Sequence, residues 1–557
     1  MASIAAPSAP GARAEAPITF MCIVMCSFAA FGGILFGYDS GYINGILAMN
    51  KFHRDFGIAS SDAEAFDGYL LPSYKKSLVT AILSLGTFLG ALVAGWAADR
   101  FGRRNTNILG CVIYIIGVVL QTVTSGSVAL LAAGRAIAGL GVGFVSATVI
   151  MYVSEITPKR IRGRVVGGYQ LAITIGIFLS ACVNLGTKNR EDTGAYRIPI
   201  ALQFAWALIL GVGLCFFPES PRYFVMKNDV DGALESLSRL RGQPQVSDFV
   251  VEEHDELVDS WRQEIADGAG SGSFLDCFTG GFKKGSSLHR TFIGTSVQVM
   301  QQMTGVNFIF YFGTSFFKTI GIQNAFIISI ILGAVNVAST PVALWTIDNW
   351  GRRPLLIWGA VGMAICEFIV AIVGTTTGDS DVAHKTLIAF VCVYIFFFAS
   401  TWGPTGWAVS GEVFPLTIRS KGIALSTASN WLFNFVIAFV TPYFVDDDKA
   451  NLKSQVFFIW GSTCALAAVY AYFVVYETKG LSLEACDQMM KKVWPWQSAG
   501  WRPEREGYVE GATGGGGAAA VPAPEAPAMG EQRRSWQSLF KMDGRTPSSE
   551  TVNSKEQ

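Results

Sequence analysis

Apolar positions in this chain gather into long runs separated by short polar punctuation, without the strict alternation of half-buried strands. The first run, Ile18 to Leu35, is long enough to cross about 30 Å of hydrocarbon at about 1.5 Å per residue. It continues past the length of a secretory signal and has little of that signal's charged start, which argues against cleavage. Further runs follow at roughly 74–98, 107–124, 128–153, 165–187 and 198–217, then at roughly 291–317, 324–346, 355–375, 385–410, 422–445 and 455–476. The pattern predicts an all-α membrane protein with twelve transmembrane helices in two six-helix bundles.

The polar stretches divide the chain further. Residues 1–17 are small and polar, and 18–217 and 291–477 hold the two bundles. Between them, residues 218–290 carry charge, and Asp229 to Arg241 sets apolar residues at helical spacing with charges opposite, which predicts a helical linker. The tail, 478–557, includes the low-complexity stretch Gly511 to Gly530 and is expected to be largely disordered from about Trp494 onward.

An internal repeat relates the two sets of runs. Asp99-Arg100-Phe101-Gly102-Arg103-Arg104 follows the second run, and Asp348-Asn349-Trp350-Gly351-Arg352-Arg353 follows the eighth. Glu155 precedes Arg162 by seven residues after the fourth run, as Glu412 precedes Arg419 by seven after the tenth. Pro218-Glu219-Ser220 ends the sixth run and Glu477-Thr478-Lys479 ends the twelfth. Repeated halves of this kind point to a transporter with its site between them. Positive charge in the short loops is nearly even on the two sides, because Lys51, Lys75, Lys188 and Arg190 oppose the arginine clusters. The linker and tail share the side of those clusters, which places that side, and both termini, in the cytoplasm.

Composition narrows the chemistry. Only 15% of residues are charged, 51% are hydrophobic, and the formal net charge is zero, so no global field favours nucleic acid. The ten cysteines lie mostly within apolar runs and the four histidines are scattered, a pattern that implies neither disulfide framework nor metal. Phosphate loops, nucleophile elbows and paired catalytic carboxylates are absent, so neither an enzyme nor a cofactor is expected. The glycines from Gly134 to Gly143 lie inside an apolar run and read as a close-packing helix face.

Three constellations remain. Asp99, Arg103, Arg104, Glu155, Arg162 and Glu219 in the first half, with Arg352, Arg353, Glu412, Arg419 and Glu477 in the second, sit at helix ends and are expected to pair across the halves as a cytoplasmic gate; anchoring in the headgroup zone is the alternative. Within the runs, polar groups are costly unless they face a cavity or one another. Asp39 and Arg135 could form a movable pair that takes up and releases a proton, or a permanent tie between two helices. Gln170, Gln301, Gln302, Asn307, Asn336, Trp407 and Asn430 are uncharged. Amides donate and accept together, as sugar hydroxyls do, and an indole suits a sugar's C–H face; each amide alone could instead be interhelical glue. A straight helix would not bring Gln302 and Asn307 to one narrow face, but a break near Gly305 would, and Gly403-Pro404 offers a similar break before Trp407.

The motifs DRFGRR at Asp99, PESPRY at Pro218, QQMTGVN at Gln301, TWGPTGW at Thr401, GEVFPLTIRSKG at Gly411 and ETKG at Glu477 together resemble the sugar porters of the major facilitator superfamily, particularly fungal hexose transporters. The resemblance spans roughly Ile18 to Glu484. It implies alternating access, monosaccharide uptake across the plasma membrane, sugar contacts at the seven residues named above and cytoplasmic gating by the Glu/Arg set. In proton-coupled relatives the position matching Asp39 carries the proton and that matching Arg135 is its partner, although some facilitative fungal members also have Asp there. Ala399 departs from mammalian facilitators, which have an acidic residue at the matching place. The expected partners are a monosaccharide, a proton and the bilayer. The expected function is hexose uptake, glucose foremost, by proton symport; a facilitative uniporter and a transporter-like glucose sensor are the alternatives.

Overall fold

A computed structural model of the chain describes residues 19–60, 67–158, 161–266, 273–319, 324–376, 380–415, 417–445, 449–481 and 483–502. Residues 1–17 and most of the tail expected to be disordered lie outside the described residues, as does the side chain of Arg162.

Eleven described helices are long and apolar enough to cross a membrane: Phe20–Ile46, Ser73–Phe101, Arg103–Val123, Val128–Ile156, Arg164–Thr187, Gly194–Leu214, Ala325–Asn349, Arg352–Thr376, Val382–Glu412, Arg419–Val445 and Lys453–Val474. The remaining crossing is broken into Ser287–Met303 and Val306–Thr319. Neither piece reaches the ~20 residues a bilayer requires, but end to end they do. With the broken crossing counted seventh, the twelve are called spans 1 to 12 below.

Span 1 runs eleven residues past the expected Leu35, to Ile46. Its second part, Gly32–Ile46, is polar enough to look like a loop yet is almost wholly buried. The reason is a stripe of glycine at every fourth position. A Cβ on Gly33 or Gly37 would lie 2.4 or 2.0 Å from the Tyr169 or Ile173 carbonyl oxygen of span 5. Only a bare backbone lets the two helices approach so closely, and this approach carries Asp39 into the interior.

The two halves meet where span 2 packs on span 11, span 5 on spans 8 and 10, and span 1 on the Val306–Thr319 piece of span 7. At the arginine-rich end the linker forms the helices Pro221–Met226, Val230–Arg241 and Asp248–Ala266 and the short 3-10 turn Phe274–Phe278. Arg241 fastens it: the guanidinium pairs with Glu253 at 2.6 Å and donates to the Ile156 carbonyl, the last of span 4, at 2.8 Å. Part of the tail is folded, since helix Leu483–Lys492 buries Met489 and Met490, and Asp487 pairs with Arg290 at 2.7 Å. At the opposite end, Ile58–Ala59 pairs antiparallel with Tyr69–Leu70. There the buried His53 donates from Nε2 to the Leu47 carbonyl at 2.8 Å and accepts the Leu71 N–H on Nδ1 at 3.2 Å.

Candidate functional site

The break in span 7 falls at Thr304 and Gly305. Gly305 has φ +81°, and the Trp460 side chain occupies the space a Cβ would need, 2.5 Å from its Cγ. A substituted residue would therefore be strained in backbone and clash with span 12. Carbonyls freed by the break are retaken by neighbouring spans: Thr463 Oγ1 donates to Met303 at 2.5 Å and Tyr394 Oη to Thr304 at 2.8 Å. Span 10 breaks at Thr401, two residues before the expected Gly403-Pro404, and Trp402–Glu412 begins a new helix. Pro404 then sits in a first turn, where a missing N–H costs little.

These breaks turn amides inward. Asn307 donates to Gln302 Oε1 across the Gly305 break. Gln302 Nε2 donates to Asn430 Oδ1 at 2.9 Å, and Asn430 Nδ2 in turn donates to Gln301 Oε1 at 2.9 Å. Gln301 Nε2 donates to the Trp402 and Gly403 carbonyls at the break of span 10, both at 2.9 Å. Gln170 lies against the same point, since a Cβ on Gly403 would be 3.2 Å from its Cδ. Trp407 is buried with Tyr169 edge-on, ring centroids 5.8 Å apart. Asn336 is not joined to this network: it is fully buried and neither amide atom has a partner.

Three further residues belong to the cluster. Gln298 accepts from Asn430 at 2.6 Å and donates to Ser410 Oγ at 2.9 Å. Asn434 accepts from Tyr311 Oη at 3.0 Å and, across the halves, from Ser84 Oγ at 2.8 Å. Trp431 donates across the halves to Ser146 Oγ at 3.3 Å. Gln298 lies three residues before Gln301 and Asn434 four after Asn430, so helical spacing alone would have put both on the faces already singled out.

Asp39 and Arg135 are both buried, but they form no hydrogen bond, contrary to the paired arrangement considered from sequence. Neither carboxylate oxygen of Asp39 has a partner. The Arg135 guanidinium donates instead to Tyr42 Oη, which donates onward to Gln121 Oε1 at 2.7 Å. Tyr42 lies three residues beyond Asp39 on the same helix, and its phenol takes the cation.

The charged residues at the arginine-rich end form two matched clusters. In the first half Arg103 pairs with Glu155 at 3.0 Å, and Glu219 accepts the backbone N–H groups of Arg103 and Arg104 at 2.8 and 3.0 Å. In the second half Arg352 pairs with Glu412 at 2.8 Å, and Glu477 accepts the N–H groups of Arg352 and Arg353 at 3.0 and 3.2 Å. Ser220 donates to Glu155 as Thr478 does to Glu412. Burial pushes the Glu219 carboxyl above its ordinary range, against the stabilising pull of those backbone donors.

Among the described side chains these four carboxylates thus bind within their own halves, where pairing with Arg across the halves was expected: Glu155 and Glu412 hold a guanidinium, and Glu219 and Glu477 cap a helix start. Arg419, expected in the same set, donates to the Phe414 carbonyl at 3.1 Å within its own half. Contact across the halves comes from the two aspartates. Asp99 accepts from Ser420 at 2.7 Å and from Lys421, and Asp348 pairs with Arg164 at 2.8 Å.

Two repeated sets of six spans, clasped at one end by matched ion clusters and enclosing a polar centre, define a membrane transporter of the major facilitator type. The chain belongs to the family described as Sugar (and other) transporter, whose model matches residues 25–490. It is 46% identical over 484 residues to "Major facilitator-type transporter ecdD" of Aspergillus rugulosus, covering 85% of this chain and 87% of that one. Identity is 43% over 490 residues with "Probable glucose transporter rco-3" of Neurospora crassa, covering 86% and 81%. It is 41% over 481 residues with "High glucose sensor RGT2" of Saccharomyces cerevisiae, covering 85% of this chain but 61% of the sensor. Among solved structures, the proton:xylose symporter XylE bound to 6-bromo-6-deoxy-D-glucose matches with a TM-score of 0.72 at 27% identity, covering 84% of this chain and 99% of that one. The chain is a multi-pass membrane protein of a transporter family, not an enzyme.

Proposed function

We propose that the chain takes up a hexose, glucose foremost, by alternating access between the 18–217 and 291–477 halves, with a proton carried on Asp39. The carrying observation is the uncharged amide cluster at the breaks of spans 7 and 10. Gln301, Gln302, Asn307 and Asn430 satisfy one another when the centre is closed, and each could exchange a partner for a sugar hydroxyl at little cost. The buried, unpartnered amide of Asn336 gains most from such a ligand, because an unmet buried amide costs about 1–3 kcal/mol. Gln170 and Trp407 complete the lining. The glucose transporter and sensor among the relatives support a hexose. The likeness to XylE, a proton:xylose symporter, supports coupling, as does an intramembrane Asp39 without a hydrogen-bond partner.

In this reading the protein lies in the plasma membrane with both termini, the 218–290 linker and the charged clusters on the cytoplasmic side. Sugar enters from outside, and release requires the Asp99 and Asp348 contacts to part. The test is uptake of labelled D-glucose by cells lacking their own hexose transporters, with and without a protonophore. Accumulation above the outside concentration that collapses with the protonophore is expected. Saturable uptake that only equilibrates, with or without the protonophore, would make the protein a facilitative uniporter. No flux from protein present at the surface would leave the glucose sensor, the reading that the likeness to RGT2 favours.

A further inference from the structure

The segment that joins the linker to span 7 carries apolar side chains that the fold leaves uncovered, Leu275, Phe278 and Phe282. The loop that holds Phe282 is nonetheless a built one. Gly280, Gly281 and Gly285 take φ +82°, +62° and +67°, values that glycine adopts without strain. Ser286 Oγ donates to the Gly281 carbonyl, the Ser286 N–H to that of Lys283 at 3.1 Å, and the Leu288 N–H to that of Thr279 at 3.0 Å. The chain thereby folds back on the start of span 7, and the Phe282 ring meets Phe292 edge-on with centroids 5.7 Å apart. Phe282 is 62% exposed and Phe292, within the span, 43%. An uncovered phenylalanine on a membrane crossing faces lipid, so the loop continues a lipid-facing surface.

Positive charge lies beside this apolar surface. Lys283 and Lys284 follow Phe282, and both are exposed. Lys284 is held in place without being neutralised: its ammonium lies 5.3 Å from the Trp494 ring centroid and donates to the Lys492 carbonyl at 3.2 Å. Trp494 in turn stacks on the exposed Trp496, centroids 5.7 Å apart. Lys491 packs on the loop at Gly285, where a Cβ would be 2.7 Å from its Cγ, but its charge is met by Asp487 at 2.9 Å. Among the described residues no acid pairs with Lys283 or Lys284. An aromatic tip continuous with a lipid-facing span, an exposed indole and two cations without a counter-ion match what one leaflet offers: acyl chain, interface and anionic headgroup.

We propose that the 278–286 loop binds an anionic phospholipid of the leaflet at the arginine-rich end: Phe282 extends the lipid-facing surface of span 7 along the acyl chains, and Lys283 and Lys284 hold the headgroup. The occupant is a lipid and not a soluble phosphate, because the aromatic tip is continuous with a surface already set against the bilayer. The loop leads directly into Ser287–Met303, so the lipid sits at the start of the broken crossing. This goes beyond the sugar-uptake reading and rests on no part of it.

The experiment titrates fluorescent phosphatidylserine or phosphatidylcholine into the purified full chain in uncharged detergent. It is repeated with Lys283→Gln, Phe282→Ser and, at the opposite end of the molecule, Lys385→Gln; all three side chains are exposed, so folding is not at stake. One lysine beside an anionic headgroup contributes roughly fivefold, so wild type is expected to prefer phosphatidylserine by about five- to 25-fold and Lys283→Gln to lose about fivefold of that preference. Phe282→Ser gives up part of an aromatic side chain's burial and is expected to weaken both lipids roughly tenfold. Lys385→Gln should change nothing. Equal affinity for the two lipids, unchanged phosphatidylserine binding in Lys283→Gln or Phe282→Ser, or an equal loss in Lys385→Gln would overturn the site. Displacement of the lipid by inorganic phosphate, with Phe282→Ser silent, would give the lysines to a soluble phosphate and overturn it as well. Sugar flux enters none of these measurements, so their failure leaves the transport reading untouched.

Discussion

The two halves of the molecule are nearly superposable in chemistry at one end and unlike at the centre. At the arginine-rich end Arg103, Glu155 and Glu219 have counterparts in Arg352, Glu412 and Glu477 down to the backbone groups they cap. Even the bare turn recurs: Gly102 and Gly351 have φ +91° and +99°, and a Cβ on either would strike the capping glutamate at 2.2 or 2.3 Å. At the centre, the first half contributes Asp39 and Arg135, whereas the second contributes the breaks of spans 7 and 10 and most of the amide cluster. On the proposed function, the part that hinges alike in both halves is the part that matches, and the parts that differ are those assigned to different ligands.

Breaking the matched clusters should have the largest effect. Arg103→Ala leaves Glu155 buried without its cation, and Arg352→Ala does the same to Glu412. Loss of one partner from a buried pair costs about 3–5 kcal/mol, and thermal unfolding in detergent is expected to show both variants in that range. The first-half pair, with both side chains at 0% exposure against 5% and 9% in the second, should sit at the upper end. A variant with wild-type stability in one half only would break the equivalence.

The ends opposite the clusters differ as the centres do. The first half has a connection of some 26 residues from Leu47 to Pro72, and its second-half counterpart between Thr319 and Ala325 is far shorter. His53 ties the longer connection together, and burial pushes its imidazole down to about 4. The unfolded chain, with an ordinary value near 6.5, therefore binds the proton more readily than the fold. The stabilising contribution is complete above about pH 6.5 and is lost as pH falls toward 4, at most about 3 kcal/mol. Wild type is expected to lose melting temperature across that window, and His53→Asn to lose less, having surrendered part of the stability beforehand. Equal slopes would remove His53 from the account.

At the centre, the division of labour separates two measurements. Asn430→Ala removes one hydrogen-bond partner from each of Gln298, Gln301 and Gln302, and a loss of about 1–3 kcal/mol should raise KM for glucose by roughly five- to 150-fold. Asp39→Asn is expected to leave KM within a few fold while abolishing protonophore-sensitive accumulation. Should the two variants exchange phenotypes, the acid would belong to the sugar site and the amides to coupling.

Much of this was legible in the sequence because a bilayer permits only continuous apolar helices, so each span had to announce itself by length. The break in span 7 was legible from Gly305 and from amides that a straight helix would have kept apart. The extension of span 1 over residues 36–46 was not, since its polar residues lower the local hydropathy and only the tertiary fit of its glycines on span 5 buries them. Nor was the partner of Arg135. Asp39 and Tyr42 lie on neighbouring positions of one helix face, and which of them meets the guanidinium is decided by rotamers that no spacing encodes. The repeat was visible, but whether a glutamate reaches its own half or the other depends on a turn of one residue at Gly102 or Gly351.

That turn leaves Asp99 and Asp348 as joints between the halves. Each faces the arginine four residues on in its own half, Arg103 at 3.7 Å or Arg352 at 3.8 Å, and also a cation of the other half, Lys421 or Arg164. An aspartate already partnered at home loses little when the second cation leaves, so the cross-half bond is cheap to open. The Arg164–Asp348 pair is also exposed, 54% and 20%, and such pairs contribute about 0–1 kcal/mol each. Arg164→Ala should shift the balance toward the state open at the charged end by at most about fivefold, as read from spin-label distances between the 218–290 linker side of the two halves. Stability should remain near that of wild type, unlike Arg103→Ala. Unfolding as severe as that variant's would mean that the cross-half bonds hold the fold together, and that the hinge must be sought elsewhere.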